Sequence, residues 1–146
     1  MSGIIVGIDG SSHSRRALEW AINEAAIRHM PLTVLTVHQA VTGFWGGPVV
    51  YPGDADLTEH ARKVAQDETD VALGKLAPEA RPPEVTVLAV TGIPAEEVLR
   101  MAGNADMVVV GSRGAGGFKK LLMGSVSTHV THHSHCPVVV VPDADS

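Results

Sequence analysis

The sequence predicts an α/β fold: a single domain in which an open parallel sheet is covered by helices on both faces, in the Rossmann-like manner. Segments with strand and helix patterns alternate along the 146 residues until five strands have been counted. The strand segments are almost continuously apolar, as is typical of parallel strands buried on both sides. This β-α-β-α order also favours a parallel sheet. Because no repeat or linker divides the chain, one domain spanning residues 1–146 is expected.

Each strand is followed by a signal that ends it and starts a helix. The first strand stops at Asp9-Gly10-Ser11-Ser12, a turn whose hydroxyl side chains can cap a helix. Pro31 predicts the end of that first helix at about Met30, and Pro94 suits the first position of the third helix. The predicted strands are residues 4–8, 32–37, 85–90, 107–110 and 138–141. The helices that follow the first four strands are predicted from residue 12 to 30, 57 to 72, 94 to 102 and 125 to 134.

The connection after the second strand is unusually long, and we expect a flexible loop over about residues 39–56. It contains four glycines and two prolines, together with Phe44, Trp45 and Tyr51. Connections of this length are commonly functional or mobile. Two interpretations stay open: a mobile insertion, or a lid that places an aromatic ring over a ligand.

The strongest local signal is Gly111-Ser112-Arg113-Gly114, followed after nine residues by Gly124-Ser125. It comes directly after an apolar strand and leads into a helix. Glycines let the backbone approach an anion, and the first turn of a helix offers free N–H groups to negative charge. The motif therefore predicts a phosphate site, although a purely structural glycine loop before a capped helix would look the same. It is neither a P-loop nor a dinucleotide fingerprint.

Composition excludes several other classes of protein. The net charge of −5 argues against nucleic-acid binding, and the single cysteine, Cys136, excludes an internal disulfide. No signal segment and no apolar run of about 20 residues is present, so we expect a cytoplasmic protein with no membrane contact. No spacing of acids, histidines or nucleophiles assigns a catalytic set.

Histidines cluster near the end of the chain at His129, His132, His133 and His135. A spacing of four places pairs of them on one helix face, which could hold zinc. Because neither an acidic partner nor a second cysteine completes such a site, no metal site is predicted. A solvated or pH-sensitive helix end is the better interpretation.

Four ordered motifs resemble the universal stress protein family, and the resemblance covers nearly the whole chain. They are the glycine motif above, the opening residues 5–11 (Ile-Val-Gly-Ile-Asp-Gly-Ser), Thr91-Gly92-Ile93-Pro94, and residues 136–141 (Cys-Pro-Val-Val-Val-Val). The resemblance implies the strand order 3-2-1-4-5. In that order the winding reverses between strands 1 and 4, and ligands of α/β proteins bind at such a point.

The glycine motif further resembles the ATP-binding branch of the family, which implies a site for ATP, with Mg²⁺ as its usual companion. Asp9 would accept hydrogen bonds from the ribose or lie beside the base, although it could instead only cap the first helix. Val37 would pack on the adenine, near Gly7. The remaining implied site residues would admit or hold the ribose and phosphates: Gly111, Gly114, Gly124, Ser125, Val126 and Ser127. Arg113 could neutralise phosphate by its charge, although basic residues near a loop are commonly only solvated.

In the implied order the fifth strand is an edge. Its residues Val138, Val139, Val140 and Val141 carry no charge, and such an edge invites pairing with another chain. The resemblance implies a homodimer formed there, and a nucleotide-dependent regulator of the stress response that contacts an unknown protein partner. Other functions remain open: a slow ATPase or nucleotide α-hydrolase, a cyclic-AMP-binding protein, or a scaffold that binds no nucleotide.

Overall fold

The computed structural model describes residues 3–112 and 119–142, and within them it confirms the five-stranded parallel sheet. The sheet strands are β1 (Ile4–Ile8), β2 (Leu32–Gln39), β5 (Val85–Gly92), β6 (Met107–Gly111) and β7 (Val138–Val141). Their spatial order is β5-β2-β1-β6-β7. Counted over the sheet strands alone, this is the expected order 3-2-1-4-5.

Within residues 3–112 and 119–142, four helices cover the two faces of the sheet. They are α1 (Ser12–Arg28), α2 (Asp54–Gly74), α3 (Pro94–Ala102) and α4 (Lys119–His133). Helices α1 and α2 share one apolar core with alternate residues of β1 and β2. The helices contribute Leu18, Ile22 and Ala65 to this core. Helices α3 and α4 share the other core, which contains Val98 and Val130. The sheet is thus buried on both sides, which is why its strands read as unbroken apolar runs.

The start of α1 follows from the turn predicted by the sequence. Ser11 is the N-cap, and its Oγ accepts a hydrogen bond from the backbone N–H of Ser14 at 3.2 Å. The helix ends at Arg28, slightly before the predicted end, because His29 adopts a left-handed conformation with φ of 56°. The helix therefore ends at this left-handed cap, ahead of Pro31.

The predicted start of the last helix was wrong. A start at residue 125 was expected from the Gly-Ser pair, but α4 begins at Lys119. In a helix with that start, the backbone N–H groups from residue 124 onward bond within the helix. Gly124 and Ser125 consequently lie inside α4 and not at its amino end.

The long connection between β2 and α2 contains a small hairpin that the sequence did not predict. Its strands are β3 (Val41–Thr42) and β4 (Pro48–Val49), which pair antiparallel. A further short 3₁₀-helix, Pro78–Ala80, precedes β5. Across the described ranges, no helix combines the length and apolar character needed to cross a membrane.

Candidate functional site

A cavity of about 380 Å³ lies where the winding direction of the sheet reverses. β1 and β6 are neighbours at the centre of the sheet, with Ile4 opposite Met107. Their carboxyl ends, with that of β2, form the floor, and α3 and α4 supply the walls. The lining residues are Gly7, Ile8, Asp9, Leu35, Val37, Gln39, Ile93, Pro94, Ala95, Glu96, Val98, Val110, Val126 and His129. This is the position at which open α/β sheets bind ligands.

The floor of the cavity is apolar, and one of its residues is a glycine, which has no side chain to fill the cavity. Leu35 and Val110 are almost fully buried beneath it. A Cβ built on Gly7 would lie 3.4 Å from Val98 Cγ2 and 3.8 Å from Val110 Cγ1. The missing side chain therefore leaves room for about one methyl group between two valines that also line the cavity, and it keeps this part of the floor low and apolar.

Asp9 provides a carboxylate at the carboxyl end of β1. Its Oδ1 accepts hydrogen bonds from the backbone N–H of Ser11 at 3.0 Å and from Ser11 Oγ at 2.5 Å. Ser11 in turn caps α1, so the carboxylate is tied to the helix start through the N-cap residue. The capping interpretation and the binding interpretation are therefore compatible, because Asp9 supports the cap and also lines the cavity.

The amino end of α3 forms one rim of the cavity. Pro94 is the first residue of α3, and the N-cap residue Ile93 makes no side-chain hydrogen bond to the helix. The carboxylate of Glu97, just beyond the rim, is mostly buried and pairs with Arg100 Nη2 at 2.7 Å. Backbone N–H groups at an uncapped helix start are hydrogen-bond donors available to a ligand.

Four of the ten predicted site residues line the cavity: Gly7, Asp9, Val37 and Val126. Gly111 ends β6, and Ser127 is buried within α4; neither is in the lining. Gly124 and Ser125 belong to α4 as described above. Arg113 and Gly114 lie outside the described residues. The nucleotide roles given to all ten stay predictions.

Three parts of the lining were not predicted as site residues from the sequence: Gln39, the α3 rim from residue 93 to 96, and His129. A signal for the rim existed, because Pro94 at a helix start directly follows a strand. No comparable signal marked Gln39, which was assigned to the loop. The rings of His129 and His133 have centroids 4.5 Å apart. Over residues 3–112 and 119–142, no group of three or more His, Cys, Asp or Glu side chains is placed to hold a metal ion.

The hairpin is anchored at its base by contacts between β2 and the start of α2. His38 Nε2 lies 2.8 Å from Asp54 Oδ1, and the backbone N–H of Tyr51 donates to Asp54 Oδ2 at 2.6 Å. The hydrogen bond from Tyr51 and then the one with His38 lower the pKa of Asp54 below its usual 3.8. These two hydrogen bonds hold together the ends of the segment that carries the hairpin.

The hairpin tip is exposed and does not reach the cavity. Phe44 is fully exposed, and the indole of Trp45 is 75% exposed. Cβ atoms built on Gly43 and Gly47 would lie 2.8 Å and 2.5 Å from indole atoms, so the ring packs on the glycines of its own hairpin. Neither aromatic residue belongs to the lining of the cavity, and the lid function remains a prediction.

Comparisons with known proteins agree on one family. The model of the universal stress protein family matches residues 1–142. Universal stress protein Rv2623 of Mycobacterium tuberculosis is 34% identical over 145 residues, which are 99% of this chain and 48% of that protein. A universal stress protein of Mycolicibacterium smegmatis is also 34% identical, over 98% of this chain and 49% of its own length. The chain thus spans about half the length of these relatives.

Solved structures share the fold of this chain. A universal stress protein in complex with cAMP is 26% identical with a TM-score of 0.67, over 97% of this chain and 96% of the other. The protein UspA from Lactobacillus plantarum has a TM-score of 0.69 at 24% identity, over 96% and 97% of the two chains. A universal stress protein from Archaeoglobus fulgidus in complex with dAMP has a TM-score of 0.63 at 21% identity, over 97% and 98%.

Proposed function

This chain belongs to the universal stress protein family, and from that premise we propose that it binds an adenine nucleotide, ATP foremost, in the cavity at the centre of its sheet. The observation that carries the proposal is the apolar opening at Gly7 with the carboxylate of Asp9 at its edge. The cavity volume of about 380 Å³ falls in the usual range for small-molecule sites. The cAMP complex of a relative supports the ligand class.

In this proposal the base, the ribose and the phosphates of the nucleotide each contact different residues. The base packs against Val37 and the floor around Gly7, and the ribose hydroxyls donate to Asp9. The phosphates extend toward the glycine motif, where Arg113, Gly114 and Ser125 are proposed to contact them. Mg²⁺ would arrive with a triphosphate, whose oxygens are its preferred ligands.

The direct test is calorimetry of the purified protein with ATP, ADP and cyclic AMP, with and without Mg²⁺. We expect heat and thermal stabilisation with at least one adenine nucleotide. The variant Gly114→Ala should weaken binding, because its added Cβ would stand where the backbone approaches phosphate. Gly74→Ala is the matched control, since Gly74 ends α2 away from the cavity and a Cβ there meets nothing within 4 Å.

Mass spectrometry of ligand released from the purified protein provides an independent measurement. Adenine nucleotide in the wild-type sample and its loss from Gly114→Ala would support the proposal. The absence of both binding heat and thermal stabilisation with all three nucleotides would refute it. A response to cyclic AMP alone would replace ATP with the smaller ligand in the same cavity.

We also propose that the protein forms a homodimer through β7. β7 is an edge strand that pairs with β6 alone among the described strands. Val140 is 40% exposed on it, and no charged side chain protects the strand. Light scattering after size exclusion should give twice the chain mass, and Val140→Glu should give a monomer. A wild-type monomer at all concentrations would refute this part of the proposal.

The output that we propose is regulation: the nucleotide-bound state presents a different surface to a cytoplasmic protein partner during stress. A ligand shifts such an equilibrium only through different affinity for the two states. Hydrogen exchange with and without nucleotide should therefore show altered protection in the hairpin or in β7. Unchanged exchange outside the cavity would contradict a regulatory role while leaving nucleotide binding in place.

A further inference from the structure

Gln39 is placed at the cavity by the pairing of two strands. In β2 it lies opposite Gly92 of β5, and the backbone N–H of Ala40 donates to the carbonyl oxygen of Gly92 at 2.9 Å. Val37 stands two residues earlier in the same strand, so both side chains project from the same face of the sheet. Both line the cavity. The pairing thus fixes the backbone from which the Gln39 side chain extends.

The Gln39 side chain differs from the other polar groups of the cavity. Asp9 and Glu96 are carboxylates, which only accept hydrogen bonds when ionised. His129 carries its two ring nitrogens on opposite sides of an imidazole. Gln39 alone among the described lining residues offers a donor and an acceptor side by side, and within the described residues its amide makes no hydrogen bond.

The structure supports a base-reading role for this amide. Adenine presents its N6 amino donor beside the N7 acceptor, whereas guanine presents two acceptors, O6 and N7, at the same edge. A glutamine amide matches the adenine pattern with two parallel hydrogen bonds. Resting on the nucleotide site proposed above, we infer that Gln39 selects adenine over guanine by bonding to N6 and N7 of the base.

The test measures a ratio of affinities. Calorimetry with cyclic AMP and cyclic GMP gives the preference for adenine in the wild type, in Gln39→Leu and in Gln39→Glu. A bidentate contact of this kind discriminates by about 5- to 150-fold. We expect the wild type to prefer cyclic AMP within that range and Gln39→Leu to lose most of the preference. Gln39→Glu should bind cyclic AMP more weakly, since N7 then faces an acceptor, but it should still prefer adenine, because the carboxylate can accept from N6 and faces two acceptors on guanine.

Gln66→Leu is the matched control. Gln66 lies on α2 and bonds Asp70 at 3.0 Å, and it is not part of the cavity. This variant should keep the wild-type ratio of affinities. The chain has only four side-chain amides, from Gln39, Gln66, Asn23 and Asn104. NMR of these groups should therefore show one amide pair that shifts on addition of cyclic AMP and is missing in Gln39→Leu.

The outcomes separate the two proposals. If neither nucleotide binds the wild type, the proposed function fails and the inference about Gln39 fails with it. If cyclic AMP binds but the affinity ratio is the same in the wild type and in Gln39→Leu, only the inference is overturned. A loss of affinity for both bases in equal proportion in Gln39→Leu would assign Gln39 a non-selective contact and would also overturn it.

Discussion

Replacing Asp9 with asparagine is expected to weaken nucleotide binding and to leave the fold intact. Asparagine keeps the Oδ1 atom that accepts both hydrogen bonds from Ser11, at 3.0 Å and 2.5 Å. The loss of charge on this acceptor atom weakens the two hydrogen bonds but does not break them. The free energy of unfolding should therefore fall by less than about 1 kcal/mol.

The effect on binding is the difference between two opposing contributions. A ribose hydroxyl bonded to a charged carboxylate contributes about 1.5–3 kcal/mol. The same charge repels a ligand phosphate, but Asp9 is exposed, and at about 8 Å in water the repulsion is roughly 0.5 kcal/mol for one phosphate charge. The hydrogen bond dominates, and the net loss of about 1–2.5 kcal/mol corresponds to a fall in affinity for cyclic AMP of about 5- to 70-fold.

Cyclic AMP is the better ligand for this measurement, because its single charge keeps the repulsion small. Calorimetry gives the affinity and urea unfolding gives the stability. Ser11→Ala is the control: it keeps the Asp9 carboxylate and the hydrogen bond from the backbone N–H, but it removes the N-cap and the Oγ hydrogen bond to Asp9. It should therefore cost about 1 kcal/mol of stability with a smaller loss of affinity than Asp9→Asn. Equal or tighter binding by Asp9→Asn would refute the reasoning, as would a loss of stability matching that of Ser11→Ala.

Three further predictions concern the framework around the site. The pKa of Asp54 is lowered, so its stabilising effect is present above pH 3.8 and is lost as the pH falls through the lower folded pKa. In urea unfolding, the stability gap between the wild type and Asp54→Asn should therefore narrow with acidification; a constant gap would contradict this. Gly10→Ala should lower the free energy of unfolding by about 1–2 kcal/mol, because of its φ of 81° alone. Gly3→Ala should lower it by more, because its Cβ would lie 2.3 Å from a proline carbonyl oxygen. Equal losses of stability in the two variants would contradict the steric argument. Gly47→Ala should displace the indole of Trp45 and shift its emission in a Trp20→Phe background without lowering global stability, and an unchanged spectrum would contradict the packing.

The parts of the fold that the sequence predicted well are those set by local pattern. The apolar run of β6 and the Asp-Gly-Ser-Ser turn each carry their own signal, because strand burial and helix capping depend on neighbouring residues. The start of α4 was predicted wrongly. A Gly-Ser pair resembles a helix start in sequence, but helix formation extended six residues further toward the amino terminus, which local glycine and capping preferences did not reveal.

The candidate site was predicted only in part for a related reason. Asp9, Gly7 and Val37 were predicted through the family resemblance, whose implied strand order brings these strand ends together where the winding reverses. Gln39 and His129 could not be found in this way, since their position depends on the pairing of β2 with β5 and on the rotation of α4. The hairpin also escaped prediction, because its two strands are only two residues long.

By itself, the sequence determined the parallel sheet and its helices, because these depend on burial patterns and turn residues that are local. The edge at which a ligand would bind followed from the strand order that the family resemblance implied. The tertiary structure alone decided which side chains surround the cavity. Residues from β1, β2, β6, α3 and α4 meet there, and the distances between them depend on how helices pack across a twisted sheet. That packing minimises exposed apolar area over the whole domain, so no short segment of the chain encodes it.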